Sequence, residues 1–153
     1  MKLKFKKYSL PILASLSLLG AALPAQAQMY GDVTIDSGSP NPIEVTGVGG
    51  GSRSAKGIAG TESTSTGDCV GFVDGQPDHT LVLKKYFKSL TVTSESSTDT
   101  TMVVKGPDGV WCNDDLRDKN AGITGDWKAG TYEVWVGSYS KSKSVPYKLR
   151  ITR

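Results

Sequence analysis

The sequence is poor in the residues that most often bind zinc or act as catalytic bases. Of 153 residues, one is histidine, His79, and two are cysteine, Cys69 and Cys112. The two cysteines do not form a C-x-x-C motif, and a single histidine is too little to complete a zinc site with them. This scarcity argues against a zinc site and leaves His79 as the one histidine available for catalysis.

The sequence also lacks an apolar run long enough to cross a bilayer. The largely apolar residues 10–23 are fewer than the roughly 20 that a spanning helix needs. They follow four lysines and precede Ala25-Gln26-Ala27, whose small residues suit signal peptidase. Residues 1–27 are therefore predicted to be a signal peptide. We expect residues 28–153 to be secreted or periplasmic, with no membrane span after signal removal.

No excess of positive charge remains once the predicted signal peptide is removed. Its four lysines leave 14 basic residues of the original 18, against 15 acidic residues, so the net charge becomes −1. A domain with this balance has no electrostatic attraction for phosphate backbones. We therefore expect no nucleic-acid partner.

Helical periodicity is almost absent, and alternation of apolar and polar residues takes its place. Only residues 84–90 could form one helical turn. Alternation with a period of two is typical of strands that have one buried face. The turn Gly106-Pro107-Asp108-Gly109 predicts a hairpin. The fold class predicted is all-β, an antiparallel β-sandwich with jelly-roll-like topology. Its strands are expected at residues 33–35, 43–48, 70–73, 80–83, 90–95, 100–105, 110–113, 132–137 and 147–152.

Residues 28–153 are few enough for one domain. Residues 28–68 are predicted to hold edge strands and a loop rich in glycine, serine and threonine over 47–67, and residues 69–153 the sandwich core. In an oxidising compartment, Cys69 and Cys112 are expected to form one disulfide.

Two segments resemble the bacterial pre-peptidase C-terminal domain family. Residues 99–115 read D-T-T-M-V-V-K-G-P-D-G-V-W-C-N-D-D, and residues 129–136 read A-G-T-Y-E-V-W-V. The family has a D-[ST]-x-L-x-L strand, a D-G turn, an acidic cluster and an A-G-T-Y-x-x-x-V strand in that order. The resemblance covers roughly residues 69–152. This chain departs from the pattern because it has no adjoining peptidase domain and has Pro77-Asp78-His79-Thr80-Leu81 where an acidic-aromatic segment is expected.

The resemblance implies a β-sandwich that accompanies secreted hydrolases, with members that bind calcium, collagen or polysaccharide. We therefore expect a non-catalytic binding or accessory module whose partner is an extracytoplasmic protein or glycan surface. Two alternatives stay open: a small secreted, peptidase-like hydrolase and a structural envelope protein. The hydrolase would have to use His79 as its base. No serine lies in a G-D-S-G-G or G-x-S-x-G context, so an enzyme is the less favoured interpretation.

An acidic cluster after the hairpin is a candidate calcium site. Oxygen-bearing side chains at the end of a strand can supply the ligands that calcium prefers. Their spacing is not that of an EF-hand, and capping of turns by these side chains is the alternative. The candidate ligands are Asn113, Asp114, Asp115, Asp118 and Asp99.

One tryptophan lies on the polar face of its predicted strand. Trp135 faces away from Tyr132, Val134 and Val136, so if that face is wet its indole could stack on a sugar or a proline. Glu133 and Tyr139 would lie beside it. If the face is covered, Trp135 is ordinary packing. Trp111 and Trp127 are expected to be core or rim packing.

Overall fold

The computed structural model describes residues 30–153. The predicted signal peptide lies outside the described residues. Within residues 30–153, no helix has both the length and the apolar character needed to cross a membrane.

The described chain forms two large sheets packed face to face, with a small two-stranded sheet made by residues 63–64 and 67–68. This architecture confirms the predicted all-β sandwich. Alternating side chains give most strands one buried face, as in β13, where every second residue is buried. The elements, in chain order, are β1 Asp32–Ile35, β2 Ile43–Gly49, β3 Arg53–Ser54, α1 Ala55–Ala59, β4 Ser63–Thr64, β5 Gly67–Asp68, β6 Phe72–Val73, β7 His79–Leu83, β8 Phe87–Glu95, β9 Thr100–Gly106, β10 Gly109–Asn113, β11 Gly122–Trp127, β12 Gly130–Ser138 and β13 Val145–Thr152.

The first sheet is centred on β12. On one side β12 pairs with β7 and, further along, with β6; on the other side it pairs with β9, which pairs with the edge strand β10. The opposite edge is β1, which lies parallel to β7 in an otherwise antiparallel arrangement. The second sheet has the order β11-β8-β13-β2.

The main core lies between the two sheets. Leu81, Val104 and Val134 of the first sheet and Leu90 and Leu149 of the second are all fully buried in one cluster. Burial of this apolar area is the main favourable contribution to folding. The two sheets also divide the edge strands β10 and β11. These strands follow each other in the chain, but β10 belongs to the first sheet and β11 to the second.

A second, smaller core covers the outer face of the first sheet. Trp135 and Val103 pack there against Ala55, Cys69 and Cys112. We call the segment 53–69 the cover. Its helix α1 is capped at the N-terminus by Ser54, whose side chain accepts a hydrogen bond from the Gly57 amide. The helix ends at Gly60, which adopts a left-handed φ of 78°. The first sheet is therefore covered on both faces.

The local structure differs from what the sequence suggested at three places. Residues 47–67 are not an open loop, because they contain β3, α1, β4 and the end of β2. Residues 84–90 contain no helical turn, since β8 begins at Phe87, whose ring is buried in the main core. Strand β11 was missed because Gly122 and Gly125 interrupt its apolar pattern.

The Cys69–Cys112 disulfide is present and fastens the cover to β10. Replacing both cysteines by alanine is expected to lower the free energy of unfolding by about 4 kcal/mol, the chain-entropy cost of freeing a 43-residue loop. Urea unfolding of the oxidised protein and of the double variant measures the difference. The wild type in a reductant is the matched control and should unfold like the variant. Equal stability of the oxidised wild type and the variant would contradict the assignment.

Candidate functional site

Asp78 occupies a gap between two strands of the first sheet. Strand β12 pairs with β7 up to Val134 and with β6 only at Ser138. In the gap, Oδ2 of Asp78 accepts a hydrogen bond of 2.7 Å from the Val136 amide. The carboxylate therefore replaces a missing strand residue, a structural role that the sequence did not reveal.

His79 connects the two sheets through the core. Its Nε2 lies 2.9 Å from the hydroxyl of Tyr147 in β13, and its ring is 5.8 Å from that of Tyr30. Burial raises the pKa of Tyr147, so its hydroxyl keeps its proton, and it donates to Nε2 when the neutral imidazole carries its own proton on Nδ1. The backbone of Gly31 also acts on the imidazole and favours its protonated form. His79 is 1% exposed, so its imidazole is buried within the sandwich.

Burial acts in opposite directions on these two neighbouring groups. Burial raises the pKa of Asp78 to about 7 against the lowering effect of the hydrogen bond from Val136, and the charge of Asp74 adds a smaller upward contribution. Burial lowers the pKa of His79 to about 4, although the backbone of Gly31 opposes the shift. An imidazole that is buried and whose Nε2 is bonded to Tyr147 cannot reach a substrate. The geometry therefore gives no support to a hydrolase that uses His79 as its base.

The predicted acidic cluster is only partly assembled. Burial raises the pKa of Asp114, and the charges of Asp115, Asp99 and Asp68 raise it further, so each of the three is close enough to act on Asp114. Asp68 belongs to β5 and was not predicted. Between residues 30 and 153, no group of three or more His, Cys, Asp or Glu side chains is arranged to hold a metal ion. Calcium binding stays a prediction that depends on rearrangement around Asp114.

Two of the predicted calcium ligands, Asn113 and Asp118, do not lie in the arrangement that a calcium site would need. Oδ1 of Asn113 accepts a hydrogen bond from the Gly122 amide, and Nδ2 donates to the carbonyl of Thr66. Asn113 thus acts as a capping residue, the alternative stated from the sequence. Asp118 is exposed in the turn after β10, with a left-handed φ of 55°.

The predicted stacking platform at Trp135 is not present. The indole is 5% exposed because α1 and the disulfide lie over it, and Nζ of Lys105 is 5.7 Å from its ring centre. Glu133 is exposed on the same strand, whereas Tyr139 is 55% exposed beyond the end of β12. The three residues do not form one surface, because the cover separates the indole from solvent.

A different aromatic site lies at the side of the sandwich, between the edge strands β10 and β11. A hollow of about 220 Å³ is walled by Trp111, Trp127 and Tyr132. The two indoles lie 26° from parallel with 6.4 Å between ring centres, and Trp127 and Tyr132 are 4.9 Å apart. Trp127 and Tyr132 are buried, while Trp111 is half-buried. We call this the aromatic hollow.

Polar groups form the rim of the aromatic hollow. Ser65 and Thr66 reach it from the turn between β4 and β5, and Thr124 and Asp126 reach it from β11. Thr66 is held in place by a 2.8 Å hydrogen bond from its hydroxyl to the carbonyl of Cys112. The result is an apolar wall with several hydroxyls and one carboxylate, a composition typical of small-ligand sites.

The hollow could not be predicted from the sequence, although Trp127 was expected in the core. Its walls come from four separate segments, and two of these, the 63–68 hairpin and β11, were not predicted as strands. The sequence contained one signal for the hollow. Trp111 lies in the second strand of the predicted hairpin, and the next strand along the chain is also an edge strand.

Opposite pH dependences are expected when Asp78 or His79 is replaced singly. Between pH 4 and 6.5, Asp78 and His79 together bind one proton in the folded protein and one in the unfolded protein. The proton is on Asp78 in the folded protein and on His79 in the unfolded protein. Because the number of bound protons does not change on unfolding, these two residues give the wild type no pH dependence of stability in this range. In Asp78→Asn, stability should fall as pH drops from 6.5 towards 4, because only the unfolded state takes up a proton. In His79→Gln, stability should fall as pH rises from 4 towards 7, because only the unfolded state releases one.

Urea unfolding at several pH values between 4 and 7 measures both slopes, each at most about 1.4 kcal/mol per pH unit. The double variant is the control and should vary with pH as the wild type does. Slopes of the same sign in the two single variants would contradict the exchange of a proton between Asp78 and His79 on folding.

Asp114→Asn is expected to raise the melting temperature in EDTA at pH 8 by about 1 to 3 °C. A carboxyl with a raised pKa costs stability above that pKa, and the amide removes the cost. Millimolar calcium should raise the wild-type value and remove the difference, because calcium relieves the same repulsion. Asp32→Asn, a change at an exposed carboxylate on β1 that is not among the candidate ligands, is the control. Identical wild-type curves in calcium and EDTA would end the calcium prediction.

Comparison with known proteins places the chain near one protein of undescribed role. It is 25% identical over 142 residues to an uncharacterized protein of Synechococcus elongatus, and the alignment covers 90% of this chain and 94% of that protein. No family model matches the chain. No solved structure matches it either.

Proposed function

We propose that residues 28–153 form a non-catalytic binding module that acts outside the cytoplasm on a protein or glycan surface. The observation that carries this proposal is the aromatic hollow, in which a half-buried indole and a rim of hydroxyls face a common space. The module binds its ligand there, at the side opening between β10 and β11. The resemblance to pre-peptidase C-terminal domains, which accompany exported hydrolases, is in keeping with an accessory role.

Two features of the chain support action outside the cytoplasm. The basic and apolar residues 1–27 have the pattern of a signal peptide. Both cysteines of the chain are used in one structural disulfide, an arrangement typical of proteins in oxidising compartments.

The chemistry of the hollow favours binding over hydrolysis. Glycoside hydrolysis generally requires two carboxyl groups placed on either side of the scissile bond. Asp126 is the one carboxyl among the residues that line the hollow, and no histidine or cysteine lines it. A site with a single carboxylate can orient a ligand but lacks the acid and base pair.

Filling the hollow should abolish binding without disturbing the fold. Thr124 is exposed on the edge strand β11 and lines the hollow, so Thr124→Trp places an indole in the space that the ligand needs. Retention of the purified mature domain on a panel of immobilised cell-wall polysaccharides, oligosaccharides and matrix proteins is expected to fall at least tenfold.

The matched control is Thr46→Trp. Thr46 is exposed on β2, the opposite edge strand of the same sheet, and should retain wild-type binding. Equal retention of both variants would show that the hollow is not the binding site. Failure of every member of the panel to retain the wild-type domain would contradict the binding function itself.

A further inference from the structure

We infer that the aromatic hollow takes one neutral sugar ring, the terminal residue of a glycan, with its C–H face on Trp111 and its hydroxyls on Asp126. This inference rests on the proposed binding function and names the ligand class for the same site. The juxtaposition that carries it is one accessible indole face beside one fixed carboxylate.

The size of the hollow limits the ligand to a single ring. Pockets for drug-sized ligands have volumes of roughly 300 to 1,000 Å³, and they bury most of the ligand surface. At about 220 Å³ the hollow is smaller than this range. A chain of several sugars could therefore place only one residue inside, and an end residue enters without bending the rest.

Only one of the three aromatic walls can offer a ring face. Trp127 and Tyr132 are 4% and 2% exposed, so they form the floor and are already packed against each other. Trp111 is half-buried and leaves part of its indole open to the hollow. A large, rigid aromatic surface with little conformational entropy to lose suits stacking against the apolar face of a sugar ring.

Asp126 is oriented before any ligand arrives. Its Oδ2 accepts a 2.6 Å hydrogen bond from the hydroxyl of Tyr86, and its Oδ1 accepts one of 3.3 Å from the Ser89 amide. The hydrogen bond from Tyr86 is the main cause that lowers the pKa of Asp126, so the group is ionised at neutral pH. An ionised carboxylate has about four acceptor sites and no donor, which leaves free acceptors for ligand hydroxyls.

The remaining rim groups complement a polyhydroxylated ligand. Thr124 and Thr91 share a hydrogen bond of 3.0 Å between their hydroxyls, and Ser65 is exposed at the opposite side of the rim. A hydroxyl both donates and accepts, so it can serve a sugar hydroxyl in either sense.

A cationic ligand such as a quaternary ammonium ion fits less well. Recognition of that kind needs several ring faces around the cation, and here two of the three rings are buried. The charge of Lys88 also acts on Asp126 and offsets part of its attraction for a cation. The ligand that these groups favour is therefore neutral.

Titration with methyl glycosides of glucose, galactose, mannose and N-acetylglucosamine tests the inference directly. Two-dimensional NMR of the mature domain resolves the indole N–H signals of its three tryptophans. At least one glycoside is expected to shift the Trp111 signal with a millimolar dissociation constant and to leave that of Trp135, under the cover, unchanged. Asp126→Asn should weaken this binding at least tenfold, and Tyr86→Phe should weaken it less, since the carboxylate stays but loses its orienting partner.

Asp32→Asn is the matched control. Asp32 is an exposed carboxylate on β1, at the far edge of the first sheet, and its loss should leave glycoside binding unchanged. Choline chloride is titrated in parallel. A shift of the Trp111 signal by choline and by none of the glycosides would overturn the assignment of a neutral sugar.

The outcome also separates this inference from the proposed function. If the panel retains the domain in a way that Thr124→Trp abolishes, but no glycoside moves the Trp111 signal, the sugar is wrong and the binding site stands. If the glycosides bind and Asp126→Asn binds them equally well, the role of Asp126 is wrong.

Discussion

The closure of the segment 53–69 over the first sheet is the constraint on which the other features depend. The disulfide from Cys69 to Cys112 joins this cover to an edge strand. The turn of the cover is fixed by two hydrogen bonds with the backbone of Cys112, whose amide donates to the Thr64 hydroxyl and whose carbonyl accepts from the Thr66 hydroxyl. Because the cover lies where it does, Trp135 is buried. For the same reason, Ser65 and Thr66 stand at the mouth of the aromatic hollow.

The sandwich uses polar side chains where its strands fail to match. The first sheet has a gap beside β12 between Val134 and Ser138, and the carboxylate of Asp78 fills it. His79, the next residue, then points into the core and is held by Tyr147 from the other sheet. The single histidine of the chain is therefore explained by the joining of two sheets, since a buried polar group is tolerated when its hydrogen bonds are made.

The predictable part of the fold is the part that follows local alternation. Strands β12 and β13 were predicted because apolar side chains recur at every second position, and these side chains face the main core: Tyr132, Val134 and Val136 in β12, and Tyr147, Leu149 and Ile151 in β13. Residues 47–67 could not be read in this way, because their small side chains bury little area individually and are ordered by contact with Trp135 and Val103, which are distant in sequence. The disulfide was predicted because the chain has two cysteines and is expected to reach an oxidising compartment. The aromatic hollow could not be predicted without knowing that β10 and β11 belong to different sheets.

The cover makes the surface character of the domain depend on oxidation. With the disulfide formed, the outer face of the first sheet presents the backbone and hydroxyls of the cover to water. With the thiols reduced, segment 53–69 is held on Trp135, Val103 and Val73 by non-covalent contacts alone, so we expect it to open more often and to expose an apolar patch of the sheet. The state of the two cysteines thereby controls how much apolar surface the domain exposes. A chain that has not yet been oxidised offers more of this surface for contact with other chains or with a chaperone than an oxidised chain does.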